Sequence, residues 1–408
     1  GHTKIVELLL QQNVETNAPT KNGWTLLFGA LLRGHVEIVE LLLQKNVKTD
    51  APANNNLGFT PLFGASLEGH VEVVKLLLNH WENNQDQEGN SFPILEAETY
   101  DCDRHPIHGA ARVGQTEIVQ LLLEKGAEPD PEDSCGLTPL WSAADNGHDA
   151  VVQLLLSAGA EPNVMGLKTS RRPIHHAAQR GHLELVWTLL KHGGSATPES
   201  DGFDNAVPSP FTLACDKGNI ELLELLLDHG ANINYVNEAS AIHGLHVAAL
   251  SGNLEVAQFL LEKDTDVEIR DKDGWTPLML AIEGDKPDLA EFLIQKNANV
   301  NSEANDGGTA LLMASQNGNL NLVKVLLKNG AKQLPWKLGG GQTRPLHLAA
   351  KHGHLAITKL LLADSPEEIN LPDCDGMTPL ALASLTNKLG QLAVVGYLLK
   401  NNAKVTID

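Results

Sequence analysis

The chain has 408 residues and carries 51 Asp and Glu against 30 Lys and Arg, a formal charge of −21 at pH 7. That balance excludes a nucleic-acid partner, whose phosphates require a basic face, and favours a basic or apolar one. No apolar run approaches the ~18 residues that cross a bilayer, no secretory leader is present, and Cys102, Cys135, Cys215 and Cys374 show neither CxxC spacing nor a dense framework, so neither a zinc site nor a disulfide scaffold is expected.

Taken in order, the elements repeat. Thr3 to Leu10 reads as a helix with an apolar face. Asn22-Gly23-Trp24 is a turn that leads into a short helix from Thr25-Leu26-Leu27-Phe28, then a longer helix ending near Asn46-Val47. The same order returns from Leu57-Gly58-Phe59-Thr60-Pro61. In both copies an aromatic residue precedes glycine, Phe28 before Gly29 and Phe63 before Gly64. Glycine inside a short helix costs about 1 kcal/mol against alanine, and each ring is expected to use the space of the side chain missing beside it. Pro61 to Pro106 spans 45 positions. The excess, Trp81 to Tyr100, is rich in Asn, Gln and Glu and is expected to form an extended loop between otherwise stacked units.

The cleanest copy comes fifth, Gly136-Leu137-Thr138-Pro139-Leu140-Trp141-Ser142-Ala143-Ala144, followed by Gly147-His148 and a Val-Leu-rich helix to Gly159. Gly136 permits the positive φ of a tight turn. Thr138 caps a helix whose first residue, Pro139, needs no N–H. Ala143 and Ala144 admit a neighbouring helix, and Gly147 and Gly159 end the two helices. Later copies carry variations. Ser170-Arg171-Arg172-Pro173-Ile174-His175-His176 opens the sixth, and about four extra residues follow between Ser195 and Pro208. Cys215 replaces an alanine, Gly244 replaces the proline, and Asp285-Lys286-Pro287 replaces Gly-His, with Asp285 a candidate cap for the next helix. Pro335 to Gly341 reads as a flexible loop, and about three residues are added near Asn387-Lys388-Leu389. The copies fall near 1–20, 21–53, 55–80, 102–133, 134–166, 168–194, 205–236, 239–270, 271–303, 304–332, 341–372 and 373–408, with the insertion at 81–101.

Pro106 to Pro139 is 33 positions, Pro139 to Pro173 is 34, and Pro345 to Pro379 is 34. A period near 33 with a turn and two helices, and helix starts such as Pro106-Ile107-His108-Gly109-Ala110-Ala111 and Arg344-Pro345-Leu346-His347-Leu348-Ala349-Ala350, resembles the ankyrin repeat over essentially the whole chain. The resemblance implies an all-α solenoid of about twelve helix-turn-helix units with β-hairpin-like turns, one array curved around a concave groove; a protein or peptide is the partner expected there. It implies no catalytic, cofactor or metal residues. The opening at Gly1-His2 falls inside a unit, so the chain reads as a piece of a longer protein. Cys102 and Cys135 hold equivalent places in adjacent units. A spacing of about 10 Å exceeds the ~7 Å limit for bridging, so free thiols and an intracellular, cytoplasmic or nuclear setting are expected. A monomer is expected.

Most of the seventeen histidines fill two repeating slots, which the resemblance assigns to hydrogen bonds between turns and neighbouring units. His176 stands where an apolar residue is usual. Gly339-Gly340-Gly341-Gln342-Thr343 lacks the Gly-Lys-Ser/Thr of a phosphate loop, no nucleophile elbow is present, and Asp145, Asp216 and Glu283 read as a solvated acidic stripe along the groove rim. No enzymatic activity is expected. The family architecture turns two sets of positions to the groove. The turn set includes Trp24, Phe59, Leu137 and Trp275; the first-helix set includes Leu32, Leu67, Arg112 and Arg180, and Trp141 is a further candidate. Trp24, Phe59, Leu32 and Leu67 lie in consecutive units and read as an apolar patch. Arg104 and Arg171 share one turn position; with Arg112, Arg172 and Arg180 they either offset Asp101, Asp103 and Asp145 or receive an acidic or phosphorylated segment. A small-molecule or enzymatic groove in the central units, and a mechanical spacer, are the alternatives.

Overall fold

The structure, a computed structural model, describes residues 2–12, 15–21, 23–45, 47, 49, 58–88, 94–100, 102–197, 207–236, 238–337, 342–385 and 389–405. Among them the fold is all-α with no strand, only isolated bridges at Glu303–Thr309 and Trp336–Thr343. The chain divides into two compact units, Gly1–Ala196 and Thr197–Asp408, at the insertion before Pro208.

In the first unit a lone helix α1 (Thr3–Gln11) precedes five pairs: α2 (Leu26–Leu31) with α3 (Val36–Leu43), α4 (Pro61–Glu68) with α5 (Val71–Glu88), α6 (Pro106–Val113) with α7 (Thr116–Glu124), α8 (Pro139–Asn146) with α9 (Asp149–Ser157), and α10 (Pro173–Arg180) with α11 (Leu183–Lys191). The second unit has six: α12 (Pro210–Ala214) with α13 (Ile220–Asp228), α14 (Gly244–Ser251) with α15 (Leu254–Glu262), α16 (Pro277–Glu283) with α17 (Pro287–Gln295), α18 (Ala310–Asn317) with α19 (Leu320–Lys328), α20 (Pro345–His352) with α21 (Leu355–Asp364), and α22 (Pro379–Ser384) with α23 (Leu389–Lys400). Within each unit, first helices stack on first helices and second helices on second helices. The alanine pairs Ala110-Ala111, Ala143-Ala144 and Ala177-Ala178 are wholly buried, and the apolar faces of the second helices close the core against them.

Two devices start the first helices. Where the helix begins after Thr or Ser, that hydroxyl accepts the third residue's N–H, as Thr138 does from Trp141 at 3.2 Å and Ser209 from Thr212 at 3.1 Å. Where the third residue is His, the bond is reversed: Nδ1 of His108, His175, His246 and His347 accepts the N–H of His105, Arg172, His243 and Arg344 at 3.1 to 3.2 Å. The hydroxyl is no longer needed, so the capping position is open to larger residues. His105 and Arg344 use it to hold neighbouring chain, His105 through Glu96 and Arg344 through Glu368 and the Gln333 carbonyl. Gly147 ends α8 at φ 74°, as expected.

Turn tips of adjacent units are joined by backbone hydrogen bonds, Ser134 N to Cys102 O at 2.9 Å and Leu167 N to Cys135 O at 3.0 Å. The tips therefore approach more closely than the helix spacing that the separation of Cys102 and Cys135 assumed. No disulfide nevertheless joins any of the four cysteines.

Four expectations are revised. The segment from Trp81 is not loop throughout: α5 runs on to Glu88, because no Gly or Pro stands between Val71 and Glu88. Lys125 Nζ, on the next unit, holds Glu82 at 2.7 Å. Ile94 and Leu95 are buried in a short 3-10 turn, and α4 still packs on α6 and α5 on α7. Second, the glycines that accommodate Phe28 and Phe63 belong to the following unit. A Cβ on Gly29 would meet nothing, whereas one on Gly64 would lie 3.3 Å from the Phe28 ring and one on Gly109 3.3 Å from the Phe63 ring. Third, Asp285 does not cap α17. Lys286 is the residue before Pro287, and Asp285 adopts φ 56°, taking the left-handed place that glycine fills elsewhere. Fourth, the ends of the Pro335–Gly341 segment are tied, Trp336 N to Thr343 O at 2.7 Å; residues 338–341 lie outside the described set. So do 198–206 of the Ser195–Pro208 insertion and 386–388 of the last one.

The loss of proline at Gly244 has a local cause. A Cβ there would come within 2.8 Å of Cys215 Sγ, so the thiol occupies the space a side chain would need. Gly244→Ala should therefore destabilise by about 1–3 kcal/mol through overpacking. In a Cys215→Ala background the same change should become neutral or favourable by up to about 1 kcal/mol, from helix propensity. Urea unfolding of the four proteins measures the coupling; additive effects would contradict it.

Candidate partner-binding site

Counting from the first residue of each first helix, three positions recur on one face of the first unit. The third holds Phe28, Phe63, His108, Trp141 and His175. The fourth holds Gly29, Gly64, Gly109, Ser142 and His176. The seventh holds Leu32, Leu67, Arg112, Asp145 and Gln179. The third and seventh positions share a face, and the rings of Phe28, Phe63 and Trp141 lean towards the fourth position of the next unit.

At the N-terminal end this builds an apolar strip. Phe28 and Phe63 are buried under Leu32 and Leu67, which are half-buried; Leu32 would stand 3.4 Å from a Cβ on Gly64, and Leu67 3.5 Å from one on Gly109. Trp24 sits edge-on to Phe28 with ring centroids 5.5 Å apart and is 39% exposed. Phe59 is tilted on Phe63 at 4.8 Å. The two turn aromatics therefore pack on rings of their own units, leaving part of their surface to solvent.

Further along, the same positions become polar. Trp141 lies edge-on to His176 at 4.3 Å and donates its indole N–H to the Arg171 carbonyl at 3.0 Å. His176 Nδ1 is 2.8 Å from Asp145 Oδ1, and Arg180 donates to that same oxygen at 3.1 Å. Burial lowers the pKa of His176, with Asp145 opposing the shift. The neutral ring then gives its Nδ1 proton to Asp145, and Nε2 is enclosed without a partner among the described residues. Arg171 reaches along α10 and donates to Gln179 Oε1 at 2.8 Å. The Arg112 side chain is exposed; its carbonyl accepts from His148 Nε2 at 3.1 Å.

Other candidates are engaged elsewhere. Arg104 is paired with buried Asp133 at 3.2 Å. Leu137 donates to Asp133, accepts from His108 Nε2 at 3.1 Å, and its side chain fills the space beside Gly166. Trp275 lies in the second unit, half-buried, with its N–H on Asp271 at 2.8 Å. Gln179 joins the site unforeseen, and Asp145, expected in a solvated acidic stripe or offsetting the arginines, pairs with His176 and Arg180. The pairing of Asp145 with His176 had one sequence signal, His176 in an apolar slot.

Histidines of both repeating slots bridge units: His70 and His148 donate to Leu32 O and Arg112 O, and His347 to Leu371 O. Among the described residues no cluster of three metal-binding side chains occurs, and no helix is long and apolar enough to cross a membrane.

A family profile for ankyrin repeats matches residues 1–91, 87–166, 165–237, 245–335 and 337–408. The chain belongs to the ankyrin-repeat family. It is 33% identical over 176 residues to ankyrin repeat and SOCS box protein 3 of Bos taurus, covering 43% of this chain and 33% of that protein. It is 28% identical over 165 residues to the probable E3 ubiquitin-protein ligase XBOS33 of Oryza sativa subsp. japonica, covering 40% and 32%. The matches thus span about a third of these relatives' length. The crystal structure of the human ASB11 ankyrin repeat domain superposes with TM-score 0.50 at 25% identity, covering 57% of this chain and all of that one.

The buried histidines at the third helix position set an acid limit. Burial drives His108 down to about 4 and His175 to about 3 from the ordinary 6.5. Between those values and 6.5 the unfolded chain binds protons that the folded chain refuses. The stability is therefore complete above about pH 6.5 and falls as the pH drops towards 4, by on the order of 3 kcal/mol per histidine. His175→Gln should give a shallower acid limb in urea midpoints measured against pH; an unchanged slope would contradict the assignment.

Proposed function

We propose that the first unit binds another protein along its first-helix face, as the non-catalytic recognition arm of a longer intracellular protein. Ankyrin repeats generally mediate protein–protein interaction. The observation that carries the finer reading is the apolar strip of Trp24, Leu32, Phe59 and Leu67: large side chains held by Phe28 and Phe63 yet left partly in water. Four cysteines with no disulfide among them fit an intracellular setting. The arrangement nearest to catalytic geometry, Asp145 with His176, supports recognition instead. His176 Nε2 is enclosed, and no hydroxyl or thiol bonds to it among the described residues.

Capture of binding proteins from lysate by the full chain, read by quantitative mass spectrometry, identifies partners. Trp24→Ala and Phe59→Ala should then weaken a captured partner by about 2 kcal/mol each, while shifting the urea midpoint far less. Equal losses of binding and folding free energy would show that both rings serve only the core.

A further inference from the structure

The seventh-position row changes character along the first unit, from Leu32 and Leu67 to Arg112, Asp145 and Gln179. Three guanidinium groups gather at its polar end. Arg112 projects from α6, Arg180 from α10 onto Asp145, and Arg171 crosses α10 to Gln179. One carboxylate, Asp145, stands among them, and it bonds Arg180 and His176 through a single oxygen. Arg112 and Arg171 have no ion pair among the described residues. In a chain of formal charge −21, this leaves an excess of cations on one face, next to an exposed apolar strip.

We infer that the first unit takes an extended segment of its partner that presents a large apolar side chain and, about six residues along, a group of carboxylates, the apolar group seated by Phe59 and Leu67 and the carboxylates on Arg112, Arg171 and Arg180. The inference rests on the groove reading above and adds the chemistry of the occupant. The separation follows from geometry. Leu67 and Asp145 are two units apart, about 20 Å at ordinary helix spacing, and an extended chain covers that in about six residues at roughly 3.3 Å each. Guanidinium forks pair bidentately with carboxylate and phosphate alike. Asp145 decides between them. A dianion placed beside a carboxylate that already takes up Arg180 meets its repulsion, whereas single carboxylates divide among Arg112, Arg171 and the outer side of Arg180.

The test uses the full chain and fluorescein-labelled synthetic peptides, made in both chain directions, with two leucines, a Gly-Ser spacer and three glutamates. A second series carries glutamine, and a third phosphoserine, in place of glutamate. Fluorescence anisotropy should show the glutamate peptide binding, more weakly as salt is added. Arg112→Glu with Arg171→Glu should weaken it roughly ten-fold, and Lys263→Glu, just past α15 in the second unit, should not. The glutamine peptide should be as weak on the native chain as the glutamate peptide is on the double variant. Equal binding of glutamate and glutamine peptides overturns carboxylate recognition and leaves the groove reading intact. Tighter binding of phosphoserine than glutamate overturns the choice of carboxylate. Binding that responds to the arginine changes but not to Trp24→Ala with Phe59→Ala overturns the groove reading itself, and no binding of any peptide overturns the inference.

Discussion

A helix pair of some 33 residues cannot bury its own apolar face, so the bonds between neighbouring pairs decide whether the fold exists. One of them recurs from a single slot, just beyond the end of each first helix. His70 donates to Leu32 O, His148 to Arg112 O, Asn253 to Cys215 O and His354 to Gln316 O. Each acceptor is a carbonyl at the C-terminal end of the preceding first helix, where no intrahelical partner remains. The side chain therefore satisfies an orphan group and fixes the register between units at once. His108, His246 and His347 complete the link in the other direction: Nδ1 accepts from their own helix start, and Nε2 donates to the carbonyls of Leu137, Ile269 and Leu371. Both ring nitrogens are committed in the neutral form, and a proton on Nδ1 would remove the acceptor.

The same bonds underlie the proposed binding face. Two of the carbonyls they hold belong to Leu32 and Arg112, which stand on the seventh-position row. The backbone under an apolar and a cationic member of that row is thus fixed by the fold. A partner docking there orders side chains rather than chain, which lowers the entropic cost of association. Trp141 extends this economy to the turns: its indole N–H is given to the Arg171 carbonyl, so it steadies the residue whose guanidinium lies over α10 instead of serving as a free anchor.

Much of this was legible in the sequence, because the repeat fixes local chemistry. Thr138 as cap and Gly136 and Gly147 in left-handed conformations follow from residue type and position alone. What depended on the neighbouring unit was not legible. Phe28 fits because of Gly64, not Gly29, and the pairing is visible only once α2 and α4 are stacked. His176 and Asp145 are 31 positions apart, and Arg180 and Asp145 are 35 apart; neither separation equals the period, so the repeat does not align them. Arg104 and Leu137 lie on the anticipated turns, but the buried carboxylate of Asp133 takes hold of both. The run from Trp81 lacks an apolar period, yet it also lacks a helix breaker before Gly89, and α5 continues through it.

The distribution of charge in the first unit follows from helix physics as much as from recognition. Glu37, Glu72, Glu117, Asp149 and Glu184 are exposed in the first turns of the second helices, where a negative charge meets the positive end of the helix dipole. Only locally is this row offset, as where Lys75 bridges Glu72 at 2.9 Å and Glu117 at 3.1 Å. Stabilising each second helix in this way makes the second-helix layer acidic, while Arg112 and Arg180 lie on first helices and Arg171 on the turn before α10. The acidic segment proposed above would then be repelled from one layer and held by the other. Specificity is a difference between the two, so carboxylates that touch no partner sharpen the choice of docking face. Both contributions are Coulombic and exposed, and beyond about 8 Å physiological salt screens them. Discrimination between the layers is therefore a short-range property, set by the side chains a segment meets on arrival rather than by the net charge of the chain.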